Sequence, residues 1–357
     1  MNKNTRELLL KHYKNFPNLQ AEDLLKFLFQ SVFGCEHLVS DENTALQYIK
    51  QEHSEISATA LPFTEPLDGN YCRVYLSWLN KGLSPETLTR LFCLSAKEEP
   101  DGKALLLQKT EIAHELIESG EIPLEKHDFD KKLSEWKGRD CPAIHHSDAF
   151  RSTYKPAYRV IDNKYADFLG LFSAIDKLLS VGNVILTLEG GSASGKSTLS
   201  EVLASVYDCN IFHADDFFLR PEQRTPERFC EIGGNFDRER FYDEIICSLV
   251  KNETVNYRPF DCSLQALGDT VSVPPKKLTV VEGVYSMHPD FGKYYNLSAF
   301  LDISPDFQKK RIETRNSPAL AKRFFSEWIP LENIYFEKTE IKKRADIIIK
   351  IIEETDE

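Results

Sequence analysis

Cysteine is sparse, with eight in 357 residues, at Cys35, Cys72, Cys93, Cys141, Cys209, Cys230, Cys247 and Cys262. No two form a C-x-x-C pair, so a disulfide-framework miniprotein is excluded and reduced thiols are expected. Long apolar runs are missing as well: no segment approaches 18 uninterrupted apolar residues. The three leucines in the opening MNKNTRELLLKHYKNF are too few for a signal-peptide core. A cytoplasmic protein without a membrane partner is the expectation. Basic residues are the minority, 44 against 56 acidic for a net charge of -12. That balance opposes generic attraction to nucleic acid or anionic lipid, although a local basic pocket can still hold phosphates. No internal repeat or low-complexity tract interrupts the chain.

What is present is ordinary globular chemistry, 41% hydrophobic and 28% charged residues, in a chain long enough for about two to three domains. The first half has helical grammar. From Gln20 to Phe33 the residues Leu24, Leu25, Phe27, Leu28 and Val32 make a broad apolar stripe. Further helices are predicted over Asp41–Gln51, Pro85–Ala96, Lys103–Ser119 and Lys164–Ser180, separated by Pro, Gly and Asp breaks. After Val181-Gly182 short apolar runs alternate with helical stretches: Val184–Leu188, Asn210–Phe212, Leu278–Val281, Ala299–Ile303 and Asp346–Ile349. Runs that are continuously apolar suit strands buried on both faces of a parallel sheet. The predicted division is an α-helical domain over 1–165, a connecting helix over 166–182 and an α/β domain over 183–357.

The sharpest signal is Gly190-Gly191-Ser192-Ala193-Ser194-Gly195-Lys196-Ser197, a full G-x-x-x-x-G-K-[ST] phosphate loop. It follows a strand candidate and opens a helical stretch, Ser197–Tyr207, whose Leu199, Val202, Leu203 and Val206 share a face. Glycines let backbone N–H groups approach phosphates, and the helix amino terminus adds partial positive charge. Residues Gly190 to Thr198 are the candidate ATP contacts, Lys196 reaching the β/γ-phosphates and Ser197 offering its hydroxyl to Mg²⁺.

A second strand candidate ends in Asp215-Asp216, and ligands in open α/β sheets bind beyond the carboxyl ends of strands. A carboxylate there can take a substrate hydroxyl proton or hold Mg²⁺, while paired acids at a strand end also serve as helix caps. Leu278-Thr279-Val280-Val281-Glu282-Gly283 likewise delivers an acid at a strand end, and Glu282 is the candidate to position Mg²⁺ through water. Arg311 and Arg315 lie at i,i+4 spacing, where both guanidinium groups can fork onto phosphate oxygens or simply face solvent.

The segment from about Asn183 to Ile349 resembles the uridine kinase and phosphoribulokinase group of P-loop small-molecule kinases, with nicotinamide riboside and pantothenate kinases as relatives. The resemblance implies an α/β P-loop NTPase fold, a parallel sheet flanked by helices, preceded here by a mostly α-helical amino-terminal domain. It implies that Asp215, in Asp215-Asp216-Phe217, is the general base and that Asp237, in Asn235-Phe236-Asp237, holds acceptor hydroxyls. It matches Glu282-Gly283 to the family's E-G pair, Arg311 and Arg315 to its lid arginines, and Ala345–Ile349 to its final strand. Asp216, Arg220, Arg224, Tyr257 and Phe260 complete the candidate substrate contacts.

Two departures bear on the acceptor. Phe260-Asp261-Cys262-Ser263-Leu264-Gln265 lacks the histidine that follows an aromatic-aspartate pair in uridine kinases. A proline-punctuated loop carries Arg220, Arg224 and Arg228 directly after the acid pair, where it could bind an anionic acceptor or pair with Glu222 and Glu227.

In the first half, Cys35-Glu36-His37 and Cys141-Pro142-Ala143-Ile144-His145-His146 are metal-suggestive fragments without ordinary zinc spacing, and buried Cys beside a hydrogen-bonded His is the commoner arrangement. Arg151, Lys155 and Arg159 recur every four residues, with Pro156 between them. The leading expectation is an MgATP-dependent kinase for a hydroxyl of a small metabolite, nucleoside or sugar-like, with a homo-oligomer compatible. The alternatives are a nucleotide-binding regulator whose helical domain engages a partner or effector, and a metal-dependent enzyme fused to a kinase.

Overall fold

Ser or Asp side chains open many of the helices by accepting a backbone N–H three residues on: Asp41 from Thr44, Ser84 from Thr87, Ser147 from Phe150, Ser304 from Phe307. The structure, a computed structural model, describes residues 2–35, 41–97 and 102–352. They fall into two compact units, divided along the chain between Ser173 and Ala174.

The first unit contains α1 (Asn2–Asn15), α2 (Ala21–Phe33), α3 (Glu42–His53), β1 (Thr64–Pro66), β2 (Tyr71–Tyr75), α4 (Pro85–Leu94), α5 (Gly102–Glu118), α6 (Lys126–Lys137), α7 (Asp148–Tyr154) and β3 (Tyr158–Asp162). The apolar stripe of α2 is buried, with Leu24, Leu25, Phe27 and Leu28 in one core with Leu106, Leu116, Phe129, Trp136 and Phe150. Helical grammar does not announce the antiparallel sheet β1-β2-β3. Its middle strand buries Arg73, which donates to Glu65 at 2.9 Å and Gln30 at 2.8 Å and lies over the Phe27 and Tyr158 rings.

The helix α8 (Leu169–Leu179), preceded by a 3₁₀ turn at Asn163–Phe168, carries the chain across the boundary. The second unit runs β4 (Val184–Gly190), α9 (Lys196–Val206), β5 (Cys209–His213), α10 (Pro226–Phe229), α11 (Arg238–Phe241), a π turn at Tyr242–Ile246 and α12 (Cys247–Leu249). Four short strands follow: β6 (Val255–Tyr257), β7 (Phe260–Asp261), β8 (Ala266–Leu267) and β9 (Val271–Val273). Then come β10 (Leu278–Glu282), β11 (Leu297–Ile303), α13 (Pro305–Arg315), α14 (Pro318–Arg323), a π turn at Phe324–Trp328, α15 (Ile329–Thr339), α16 (Ile341–Arg344) and β12 (Ile347–Ile351).

Five of these strands form a parallel sheet in the order β12-β11-β4-β10-β5. Each corresponds to one of the apolar runs read from the sequence, and β10 is buried along its whole length. The unit is therefore an α/β P-loop fold. The register sets Glu282 directly beside His213 and Leu301 beside Gly190, which brings the carboxyl ends of β4, β5 and β10 together. Among the described residues no helix is long and apolar enough to cross a membrane.

Candidate active site around the phosphate loop

Gly190, Ala193 and Gly195 have positive φ angles of 144°, 60° and 101°, so the chain turns back on itself between β4 and α9. A Cβ at Gly190 would lie 2.6 Å from the Leu301 carbonyl oxygen, so only glycine allows this approach to β11. Ser194 is fully buried and its Oγ has no partner. Lys196, 8% exposed, donates to the Gly190 and Gly191 carbonyls at 2.8 and 3.0 Å. A turn with backbone N–H groups, an unpartnered hydroxyl and a lysine at a helix amino terminus fits a polyphosphate. The helix α13 braces the outside: Gln308 donates to Ser192 O at 2.8 Å and Arg311 to Ala193 O at 3.2 Å.

The structure brings Ser197 and Glu282 together, the hydroxyl donating to the carboxylate at 3.1 Å, while His213 Nδ1 lies 2.6 Å from the same carboxylate oxygen. Burial pushes the Glu282 pKa up, but the bond from His213, helped by Lys196, wins and holds it below the usual range. His213 is correspondingly raised by that bond against the opposing effect of its own burial. A hydroxyl and a carboxylate are the oxygen donors a hard cation such as Mg²⁺ takes.

Asp215 follows β5 in a 3₁₀ turn, Ala214–Phe217. Its side chain stays open to the cleft, yet the protein packed round it raises its pKa, only partly offset by Lys196 and Arg315. Asp216 is raised by burial too, and it hydrogen-bonds Tyr257, itself buried against Phe212 and Phe217. Asp215 and Ser192 bound a cavity of about 220 Å³ whose other walls include Phe218, Phe236, Tyr285, Phe324 and Trp328. None of its described lining residues is Lys or Arg. Tyr285 holds its ring there with a φ of 78°, a strained value for an aromatic residue.

The remaining candidates do not line this cavity. Asp237, almost fully buried, caps α11 through the Arg240 N–H and pairs with Arg240 at 3.4 Å. With Arg220 it lines a separate cavity of about 580 Å³. Arg224 donates to Leu219 O and Gln265 and stacks over Phe260, an internal brace of the loop. Arg228 pairs with Glu231 and Glu239. Arg315 is exposed on α13, and Thr198 is exposed on α9.

Sequence reasoning missed Glu332 on α15, which accepts from the Ser192 N–H at 2.9 Å and from the Ser192 hydroxyl. It also missed Asn235, Tyr285, Phe324 and Trp328 as cavity walls. Only Tyr285 carried a signal, two residues beyond Glu282-Gly283; a glutamate inside a mixed helical stretch carries none.

In the first unit Cys35 donates weakly to Phe92 O at 3.5 Å, and His146 lies between Asp23 and Tyr158, 2.7 Å from each. Glu36 and His37 lie outside the described residues. Among the described residues no three His, Cys, Asp or Glu side chains are arranged to hold a metal ion. Arg151 pairs with Asp148 on α7, Lys155 ends that helix in a left-handed conformation, and Arg159 forks onto Glu52 from β3. The three therefore do not share one face.

No protein-family model matches the chain, and no curated protein does. Among solved structures it is similar to one from Bacillus stearothermophilus described as a possible uridine kinase, at 20% identity and a TM-score of 0.39, covering 50% of this chain and 98% of that one. It is also similar to shikimate kinase from Bacteroides thetaiotaomicron, at 17% identity and a TM-score of 0.27, covering 46% and 84%.

Proposed function

We propose that the unit from Ala174 onward transfers the terminal phosphoryl group of ATP to a hydroxyl of a small metabolite seated beside Asp215. One observation carries the reading: a single cavity is bounded by Ser192 of the phosphate loop and by Asp215, so donor and proton acceptor face one space. Asp215 takes the alcohol proton, and its raised pKa brings it closer to the working pH of a general base. Lys196, Arg311 and Arg315 offset charge on the transferring group, so that catalysis is mainly positioning and charge neutralisation. Ser197 and Glu282 would hold Mg²⁺, which when bound neutralises charge on the phosphate oxygens.

Aromatic walls, two carboxylates and no lining cation suit an uncharged or cationic acceptor with an apolar body. They do not suit the anionic acceptor that the arginine loop suggested, since Arg224 is tied to its own loop and Arg220 lines the other cavity. The test is transfer from labelled ATP into a panel of nucleosides, vitamins and sugars. Asp215→Asn is expected to lower turnover by roughly a hundredfold or more while retaining ATP affinity. Undiminished transfer in that variant would remove the base.

A further inference from the structure

Glu332 belongs to two places at once. Its carboxylate accepts from the Ser192 N–H at 2.9 Å and from the Ser192 hydroxyl, and its side chain also walls the cavity that holds Asp215. It is only 4% exposed, so little water screens it. A carboxylate is a poor permanent neighbour for a loop whose N–H groups serve anions, because a polyphosphate arriving there meets a fixed like charge.

We propose that Glu332 is an internal competitor of the donor's terminal phosphate, and that its displacement from Ser192 transmits donor binding to the acceptor cavity. The inference rests on the kinase reading above and adds a regulation of the same site. The path is short. Glu332 and Tyr335 both lie on α15, and the Tyr335 hydroxyl donates at 3.0 Å to Glu189, the residue at the root of the phosphate loop. The turn entering α15, Phe324–Trp328, supplies Phe324 and Trp328 to the cavity wall. A shift of Glu332 off Ser192 therefore moves the helix that carries the acceptor's aromatic walls. Donor and acceptor become coupled through one side chain, as two ligands are whenever they bias the same element. Lys196 and α13 hold only carbonyls of the loop, so in this arrangement the carboxylate is what a phosphate must replace at Ser192.

The experiment compares equilibrium binding of ATP, ADP and AMP by the full chain and by Glu332→Gln, which keeps an acceptor oxygen and removes the charge. The expected result is ATP bound about tenfold more tightly by the variant, a smaller gain for ADP, and AMP unchanged within about twofold. ATP bound no more tightly by Glu332→Gln than by wild type would overturn the competition. A second readout does not depend on that variant folding: saturating ATP is expected to change the wild-type tryptophan emission by an amount lost in Trp328→Phe. A change that Trp328→Phe leaves intact, or none at all, overturns the transmission. The two readings fail differently: ATP that does not bind, or binds Lys196→Ala equally, removes the kinase reading and this inference with it. Lys196-dependent binding indifferent to Glu332 removes only the inference.

Discussion

Gly283 shows how one residue type can be dictated by a neighbour's backbone. Its φ is 139°, and a Cβ there would lie 2.5 Å from the Ala214 Cβ and 3.2 Å from the Ala214 nitrogen. The E-G pair at the end of β10 thus has two separate causes: Glu282 meets Ser197 and His213, and Gly283 lets β10 close against the residue that precedes Asp215. Gly283→Ala combines a disfavoured backbone with a clash against a chain that has little room to yield. It is expected to cost about 3 kcal/mol, read from the urea midpoint. It should also lower phosphoryl transfer beyond the loss of folded protein, because Asp215 moves with Ala214. Unchanged stability together with unchanged turnover would show that the Ala214 backbone is free to retreat.

At the scale of elements, α2, α7 and the sheet of the first unit are joined by a buried polar network that makes this unit sensitive to acid. His146 of the α7 approach bonds Asp23 of α2 and Tyr158 of β3, while Glu65 of β1 bonds both His12 and Arg73. Burial, opposed by the Asp23 bond, pushes the His146 pKa down to about 4, below its ordinary 6.5. A lowered histidine is stabilised as the neutral ring, so its contribution is complete above pH 6.5 and is lost as the pH falls toward 4. Glu65 is pulled the other way by burial, but Arg73 and His12 win and hold it at about 2, so its contribution is complete above 4.5 and lost below that. His12 is also lowered, chiefly by burial, and adds in the same direction as His146. Between pH 7 and pH 5 the His146 effect alone is on the order of 2 kcal/mol. Urea titrations followed by the buried Trp136 should record that fall, and His146→Gln should flatten it. A wild-type profile that is level over this range would refute the assignment.

The same elements show what could be read beforehand. The three inner strands of the parallel sheet, β4, β10 and β11, were legible because both of their faces are largely covered, which writes them as mostly apolar runs bounded by turns, whereas the edge strands β5 and β12 are only partly buried and showed as shorter apolar runs. The strands of the first unit were not legible: Tyr71–Tyr75 carries a buried arginine at its centre, and Thr64–Pro66 is three residues long and ends in proline. Their burial is stabilised by partners such as Glu65 and Gln30 that lie far along the chain, and no local pattern announces such pairs. The phosphate loop, Glu282 and Asp215 were legible for the opposite reason, since each sits at the end of a recognisable strand. Glu332 reaches the loop from 140 residues away in sequence, and only the fold brings it there.

At the scale of the whole molecule, the two units have separate hydrophobic clusters: one contains Phe129, Trp136 and Phe150, the other Phe212, Phe241 and Tyr335. The proposed nucleotide site lies in the second, so on that reading linkage makes a sharp forecast about where stability is gained. MgATP at a hundredfold its Kd adds about 2.7 kcal/mol to whatever cooperative unit contains the site. Hydrogen exchange on the full chain is expected to slow in peptides from β4, α9 and β10, with the core of α2, α5 and α6 unchanged, because those helices bury their side chains in a cluster that shares no residue with the site. Equal slowing in both sets of peptides would mean that the units open as one, and the helical unit would then be part of the nucleotide response.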